Sequence, residues 1–368
     1  MTFLQRIQAF DRLRDKLEII IATYPSFDEK IFFNHPFYDA IQQQCIQNKW
    51  FTPFFIKRAL EAIVEMLNIS DLQLFKDQYA PFLNNPTSQK KVVFVISAGN
   101  IPLAAFHDFF SILVSGNIFL GKLSANDNLL LPEIAKLLIE VDPEFESQIF
   151  FRDHYSNDTI EKMEYHKVIS TGSNNSARYF EYYFGKFPNI LRKNRNSIAI
   201  LTGNESDKDL QLLCDDIFLY FGLGCRSVSK IYIPKNYNFV PLIESMIKNS
   251  VYLCNHHHYL NNIEYQKTMH LMNQIPFYDA TVLLLVENRS LNSPISVLHY
   301  EYYDDISSVF SRIKSEQDQI QCVAIQKEWI GKSLGTGFEK NITSLGNTQS
   351  PSLFEFPDQI DTVKFCLS

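Results

Sequence analysis

Val92-Val93-Phe94-Val95-Ile96 is an apolar run with no polar alternate, and a strand of that kind must be covered on both faces. The chain then repeats the motif at intervals. Helical spacing is expected over 103–114, a strand over 118–120, a helix over 128–140, strands over 147–151 and 166–170, a helix over 175–185 and a strand over 197–201. Continuous apolar strands separated by helices predict a parallel sheet with helices on both faces, hence an α/β fold. A second series starts near Asn196 and continues through a strand at 228–234, a helix at 239–247 and strands at 280–286, 297–302, 321–325 and 342–345. Ahead of the alternation the chain is helical and aromatic, with Pro25, Pro36, Pro53 and Pro81 separating amphipathic segments such as 55–67. The expected division is a helical region 1–89, a first α/β domain 90–195, a second 196–346 and a segment 347–368 that packs back.

At 368 residues and 46% apolar, the chain can bury two cores. A net charge of −7 opposes broad attraction to phosphate backbones, so nucleic acid is not an expected partner. Six scattered cysteines without a CxxC pair predict reduced thiols and a cytoplasmic setting. Arg6, Asp11, Arg12, Arg14, Asp15 and Lys16 interrupt the first residues, which therefore lack the apolar core of a secretory signal. Residues 101–121 have the length of a membrane span but contain His107, Asp108, Gly116 and Asn117, and read as a buried helix followed by a buried strand.

Gly222-Leu223-Gly224-Cys225-Arg226-Ser227 comes close to a dinucleotide fingerprint, yet its context is reversed. Leu210, Leu213, Cys214, Ile217, Phe218 and Phe221 repeat at helical spacing before it, Ser206 and Asp209 supply a capping box, and a β-branched strand follows. The loop therefore presents Cys225, a candidate nucleophile that a helix terminus or Arg226 would activate. Cys45, Cys214 and Cys322 are expected in the core as small hydrophobes.

Ser97-Ala98-Gly99-Asn100-Ile101-Pro102 places Asn100 at the carboxyl edge of a parallel strand, with Pro102 expected in the first turn of the next helix. An amide there can donate to a developing oxyanion, or simply close a tight turn. Lys122 and Ser124 end the next strand, where the lysine can hold a ribose or phosphate and Ser124 can cap the next helix; a solvated lysine is the plain alternative. Gly172 and Ser173 follow a third strand and offer free amides to a pyrophosphate or nicotinamide, or form an ordinary cap. His256-His257-His258 near Cys254 lacks the ligand spacings of a zinc site, and no metal is expected. Arg192-Lys193-Asn194-Arg195 reads as a solvated turn or a contact to cofactor phosphates.

Together, Ala98-Gly99-Asn100-Ile101-Pro102, Gly121-Lys122-Leu123-Ser124, Thr171-Gly172-Ser173, Gly224-Cys225-Arg226-Ser227 and Ser293-Pro294 resemble the LuxC-type acyl-CoA reductases, fatty acid reductases of the aldehyde dehydrogenase superfamily. The resemblance runs from about Lys91 onward. It implies an aldehyde-dehydrogenase-like fold, with a Rossmann-like NADP-binding domain at 90–195 and a catalytic thiol domain at 196–346. It also implies Cys225 as the catalytic thiol, Asn100 as the oxyanion amide, Lys122 and Ser124 on the adenosine side of the cofactor, and Gly172 with Ser173 at its nicotinamide end. The stretch 193–198 lacks the glutamate base of hydrolytic relatives, and Ala125 stands where many carry a ribose-binding glutamate, which favours NADPH over NADH. His107, His166 and His299 are the candidates for a base. The substrate implied is an acyl-CoA or acyl-protein thioester, with an acyl-activating synthetase and further copies of the chain as the partners the family allows. Two other readings stay open: a cysteine-dependent acyltransferase without redox chemistry, and a non-catalytic acyl-binding partner of such a synthetase.

Overall fold

The computed structural model describes residues 1–24, 35–83, 90–152, 162–172, 174–331 and 342–368. They form two compact units, Met1–Asn194 with Ser350–Ser368, and Arg195–Gln349, so the second is inserted between two parts of the first.

The first unit begins with α1 (Phe3–Thr23), α2 (Pro36–Gln47), α3 (Pro53–Met66) and α4 (Ile69–Leu83). Thr2 and Gln5 form a capping box on α1, and Thr52 caps α3 ahead of Pro53. Pro81 lies inside α4 rather than between helices. The sheet follows: β1 (Val92–Ile96), β2 (Ile118–Lys122), β3 (Ile149–Phe151), β4 (Lys167–Thr171) and β5 (Asn189–Arg192), in the order β3-β2-β1-β4-β5 and parallel throughout. Helices α5 (Phe106–Val114), α6 (Leu130–Val141) and α7 (Asn174–Phe184) connect the strands. Every residue of α5 is buried. Phe110 meets Phe10 of α1 at 4.8 Å and Phe75 of α4 at 5.2 Å, while Phe109 meets Phe119 of β2 at 5.1 Å. The aromatic residues of the helical region thus cover α5, and burying each ring fully stabilises by about 1.5–3 kcal/mol.

The second unit contains β6 (Asn196–Ile200), α8 (Asp207–Phe218), β7 (Val228–Pro234), α9 (Phe239–Asn249), α10 (His257–Met272), β8 (Tyr278–Asp279), β9 (Leu284–Glu287), β10 (Val297–Tyr303), α11 (Ile306–Ser315), β11 (Ile320–Ile325), α12 (Lys327–Ile330) and β12 (Ile342–Ser344). The strand order is β12-β11-β6-β7-β10-β9-β8, with β8 antiparallel to β9 and the other pairs parallel. The expected strand at 280–286 starts only at Leu284, because Thr281 takes φ +67° and the Ala280 N–H donates to Leu283 O.

The last residues, ending in α13 (Thr362–Leu367), return to the first unit. Arg192, read from sequence as part of a solvated turn, ends β5 and is buried. Its Nη1 and Nη2 donate to Asp108 of α5 at 2.5 and 2.8 Å, and its Nη2 reaches Thr362 Oγ1 at 3.4 Å. His107 Nε2 lies 3.1 Å from Leu353 O, and Asn117 Nδ2 donates to Cys366 O at 3.0 Å. Among the described residues no helix is long and apolar enough to cross a membrane.

Candidate active site

In the first unit β1 is the strand at which the chain order reverses, with β2 on one side and β4 on the other. Ligands of open parallel sheets gather outside the carboxyl ends of such strands. Ile96 pairs with both Lys122 and Ser170, so the loops after β1, β2 and β4 leave the sheet at one level. Asn100 is exposed on the first of these loops. Ser97 Oγ accepts from the Ser124 N–H at 3.2 Å, and a Cβ on Gly99 would stand 2.4 Å from Ser124 Oγ, so only glycine lets the two loops touch there. Beyond Asn100, Leu103 takes φ +60° and donates its N–H to Asp127 Oδ2 at 2.7 Å. That left-handed residue is why α5 starts at Phe106 and not at 103, which leaves Pro102 outside the helix. Asp127 is buried and its Oδ1 has no hydrogen-bond partner. Burial pushes its carboxyl up to about 7, against the lowering effect of the Leu103 N–H.

Lys122 is exposed at the end of β2. Ser124 does not cap α6; its Oγ accepts from the Asn126 N–H at 3.3 Å. The amides ahead of α6, Asn128 and Leu129, instead donate to Gln44 Oε1 of α2 at 3.1 Å each, a cap supplied from more than eighty residues away. Gly172 follows β4, where an added Cβ would stand 3.0 Å from Phe180 and Ser176 of α7. Ser173 lies outside the described residues.

In the second unit Cys225 is exposed on the turn that leads into β7. Tyr220, Phe221 and Gly222 all have positive φ (+57°, +55° and +73°), a left-handed run that ends the helical path of α8. Phe221 is held in it by ring contacts to His256 at 4.2 Å and Tyr259 at 5.4 Å. The turn Gly224–Ser227 is closed twice. The Ser227 N–H donates to Gly224 O at 3.0 Å, and the Gly224 N–H donates to Ser227 Oγ at 3.2 Å. Cys225 therefore follows the carboxyl end of a helix and opens none, and Arg226 directs its Nε to Thr348 O.

Buried groups fix this turn from below. Asp216 of α8 accepts from Gly346 N–H (2.6 Å), Thr348 N–H (3.0 Å) and Thr348 Oγ1 (2.7 Å), which anchors the segment that receives Arg226. Gln349 Nε2 donates to Ser227 Oγ at 3.1 Å. Burial lifts the Asp216 carboxyl to about 6, less than at Asp127 because more donors face it. Ser197 of β6 donates its Oγ to Cys225 O at 2.8 Å and lies 3.1 Å from Cys322 Sγ. Cys322 and Cys214 are buried as expected, and burial pushes the Cys322 thiol up to about 11; Cys45 is only half-buried.

The other sequence candidates serve structure. His166 Nδ1 accepts from the Val92 N–H at 3.1 Å at the opposite, amino edge of the first sheet. His299 is buried in β10 with Nδ1 3.0 Å from Ser290 O, and burial lowers its pKa. His256 caps α10 by accepting from the Tyr259 N–H at 3.2 Å. Among the described residues no group of three His, Cys, Asp or Glu side chains could hold a metal ion.

No protein-family model matches the sequence, and no curated protein matches it. Solved structures do resemble it. Aldehyde dehydrogenase 21 from Physcomitrella patens, in complex with the reaction product succinate, superposes with a TM-score of 0.65 at 12% identity over 100% of this chain and 84% of that one. A betaine aldehyde dehydrogenase double mutant from Staphylococcus aureus, in complex with NAD+ and with a BME-modified cysteine, gives 0.60 at 12% identity over 94% and 76%. An oxidoreductase from Marinobacter aquaeolei gives 0.63 at 8% identity over 96% and 79%. The chain has an aldehyde-dehydrogenase-like α/β fold, with parallel-rich sheets and a helical N-terminal region.

Proposed function

We propose that this protein is an acyl-CoA reductase of the LuxC type, which converts a fatty acyl thioester to the aldehyde with NADPH while the acyl group rides on Cys225. The observation that carries this reading is the Cys225 turn: an exposed thiol on a doubly closed turn, in a fold shared with aldehyde dehydrogenases. The Cys225 thiolate attacks the thioester carbonyl carbon, and the oxyanion accepts from the Cys225 N–H; Asn100 is the amide to which the resemblance gives the oxyanion role. The carbon–sulfur bond to CoA then breaks, CoA leaves as the thiolate and takes a proton, and the acyl group stays on Sγ. NADPH, when bound, supplies the hydride that reduces the acyl carbon. The resulting thiohemiacetal loses its hydroxyl proton, the bond to Sγ breaks, and aldehyde and thiolate separate.

Two features favour reduction over hydrolysis. Residues 193–198 offer no carboxylate to activate water, and the Ser197 hydroxyl is engaged by Cys225 O and Cys322. The carboxyl edge of the first sheet is where a dinucleotide would bind, since the loops after β1, β2 and β4 leave it in register and Lys122 is exposed at the end of β2. On this reading Lys122 and Ser124 take the adenosine side, Gly172 and Ser173 the nicotinamide side, and Ala125 leaves a 2′-phosphate unrepelled. Supply of the acyl group by a synthetase, and a cytoplasmic setting, belong to the same reading.

Labelled acyl-CoA without NADPH tests it directly. Label is expected on the peptide containing Cys225, stable until NADPH releases it as aldehyde. Absence of label, or its release as carboxylic acid without NADPH, overturns the proposal.

A further inference from the structure

A cavity of about 290 Å³ opens within the second unit, at the carboxyl ends of β7 and β10 and against α11. Cys225 leads into β7 from its other end, and the thiol chemistry described above uses no residue of this wall. Tyr232 of β7 lines the cavity. It is 2% exposed, and its hydroxyl has no hydrogen-bond partner among the described residues. A buried hydroxyl left unmatched costs stability, unless something in the cavity pairs with it.

The charges around the cavity decide what that can be. Glu301, paired in register with Tyr232, accepts from Lys230 Nζ at 2.6 Å and from Arg312 Nη1 at 2.5 Å. Asp304 pairs with Lys235 at 2.7 Å, and Asp305 caps α11 through the Ser307 N–H. Arg312 also donates to Glu316 Oε1 at 3.3 Å and to Arg289 O at 3.1 Å. Four carboxylates (Glu301, Asp304, Asp305, Glu316) thus stand against three cations (Lys230, Lys235, Arg312), a balance that repels an anion. Spare donors nevertheless lie beside spare acceptors. Among the described residues Arg312 has engaged three of its five N–H groups, and Tyr232 none of its hydroxyl. Ser308 Oγ donates to Asp305 O at 2.6 Å and keeps its lone pairs, as the exposed Asp304 keeps some of its own. A carboxylate or phosphate would serve only the donors, and an ammonium only the acceptors. A hydroxyl group serves both, because it donates and accepts at once.

We propose that this cavity binds a neutral polyhydroxylated ligand, a single sugar-sized ring whose adjacent hydroxyls pair with Tyr232 and Arg312 on one side and with Asp304, Asp305 and Ser308 on the other. The volume lies near the lower bound of small-molecule sites, about 300 Å³, which suits one ring and not a chain of them.

The test is titration of the full-length protein, followed by saturation-transfer difference NMR, with D-ribose, D-glucose and myo-inositol as neutral probes and acetate and tetramethylammonium as charged ones. At least one polyol should bind saturably to wild type, and more tightly than either charged probe. Tyr232→Phe keeps the ring and removes only the hydroxyl; it should weaken that polyol by about tenfold. Because the hydroxyl has no partner in the protein alone, the same variant should unfold in urea no earlier than wild type, which separates lost binding from lost fold. Cys225→Ala should bind the polyol within about twofold of wild type. Failure of all three polyols to saturate, equal binding by Tyr232→Phe, or a preference for acetate or tetramethylammonium overturns the proposal. So does a polyol released by Cys225→Ala, which would place it at the thiol turn instead.

Discussion

The Cys225 turn and the Asn100 loop each lean on a buried aspartate, but only one of the two carboxylates is fully bonded. Asp216 meets three donors, and the segment it anchors passes support on through Thr348 and Gln349 to Arg226 and Ser227. Asp127 meets one side-chain-to-backbone donor and leaves an oxygen without a partner. Equal burial thus gives unequal consequences: donors offset part of the desolvation at Asp216, and its pKa rises less. The turn that carries the thiol is held by a network, the end of the Asn100 loop by one contact to a left-handed leucine.

If the first loop carries the reacting atom and the second only assists, their substitutions must differ in kind. Cys225→Ala should abolish acyl-CoA-dependent NADPH oxidation, a loss of at least about a thousandfold; residual turnover above that level would move the nucleophile elsewhere. Asn100→Ala should lower kcat by about a hundredfold to a thousandfold while Cys225 still alkylates normally, as expected for loss of one oxyanion donor. Asp216→Ala removes the anchor of three hydrogen bonds and should cost about 2–3 kcal/mol in urea unfolding, with Asp216→Asn milder. Gly99→Ala should cost about 1–3 kcal/mol by pressing on Ser124, and Ser124→Gly should restore most of it in the double variant; additive losses would show that the two loops do not touch there.

The smallest effect separates the two aspartates by pH. A carboxyl whose folded pKa lies above its unfolded one contributes stability that is whole below about pH 4 and is lost as pH rises through the folded pKa. The Tm of Asp127→Asn minus that of wild type should therefore climb from pH 4 and level off near 7, and the same difference for Asp216→Asn near 6. Coincident plateaus would erase the distinction drawn between them.

Much of the scaffold is legible in the sequence. The apolar runs that become β1, β2, β4, β6, β7, β10 and β11 are long enough to read by pattern, and the glycine-rich turn before β7 marks Cys225 by its position between a helix and a strand. What escaped is mostly non-local. Arg192 looks solvated until Asp108, 84 residues away, closes over it, and β5 is too short to announce itself. The start of α5 depends on Asp127, and the cap of α6 on Gln44, neither of which lies within a window that reads local spacing. Helix α10 buries only Tyr259 and Ile263, so its apolar residues trace no single face. Asp216 left a trace: an acidic residue among Leu213, Cys214, Ile217 and Phe218 on an apolar helix face signals a buried charge seeking donors.

The insertion of one unit inside the other sets an order of assembly on the ribosome. Residues 195–349 emerge as one continuous stretch and have every strand of their sheet once Ser344 is out. The earlier-made unit lacks the partners of His107, Asn117 and Arg192 until Leu353, Cys366 and Thr362 arrive. Translation that stalls between these points would leave the first-made portion as the one in need of a chaperone.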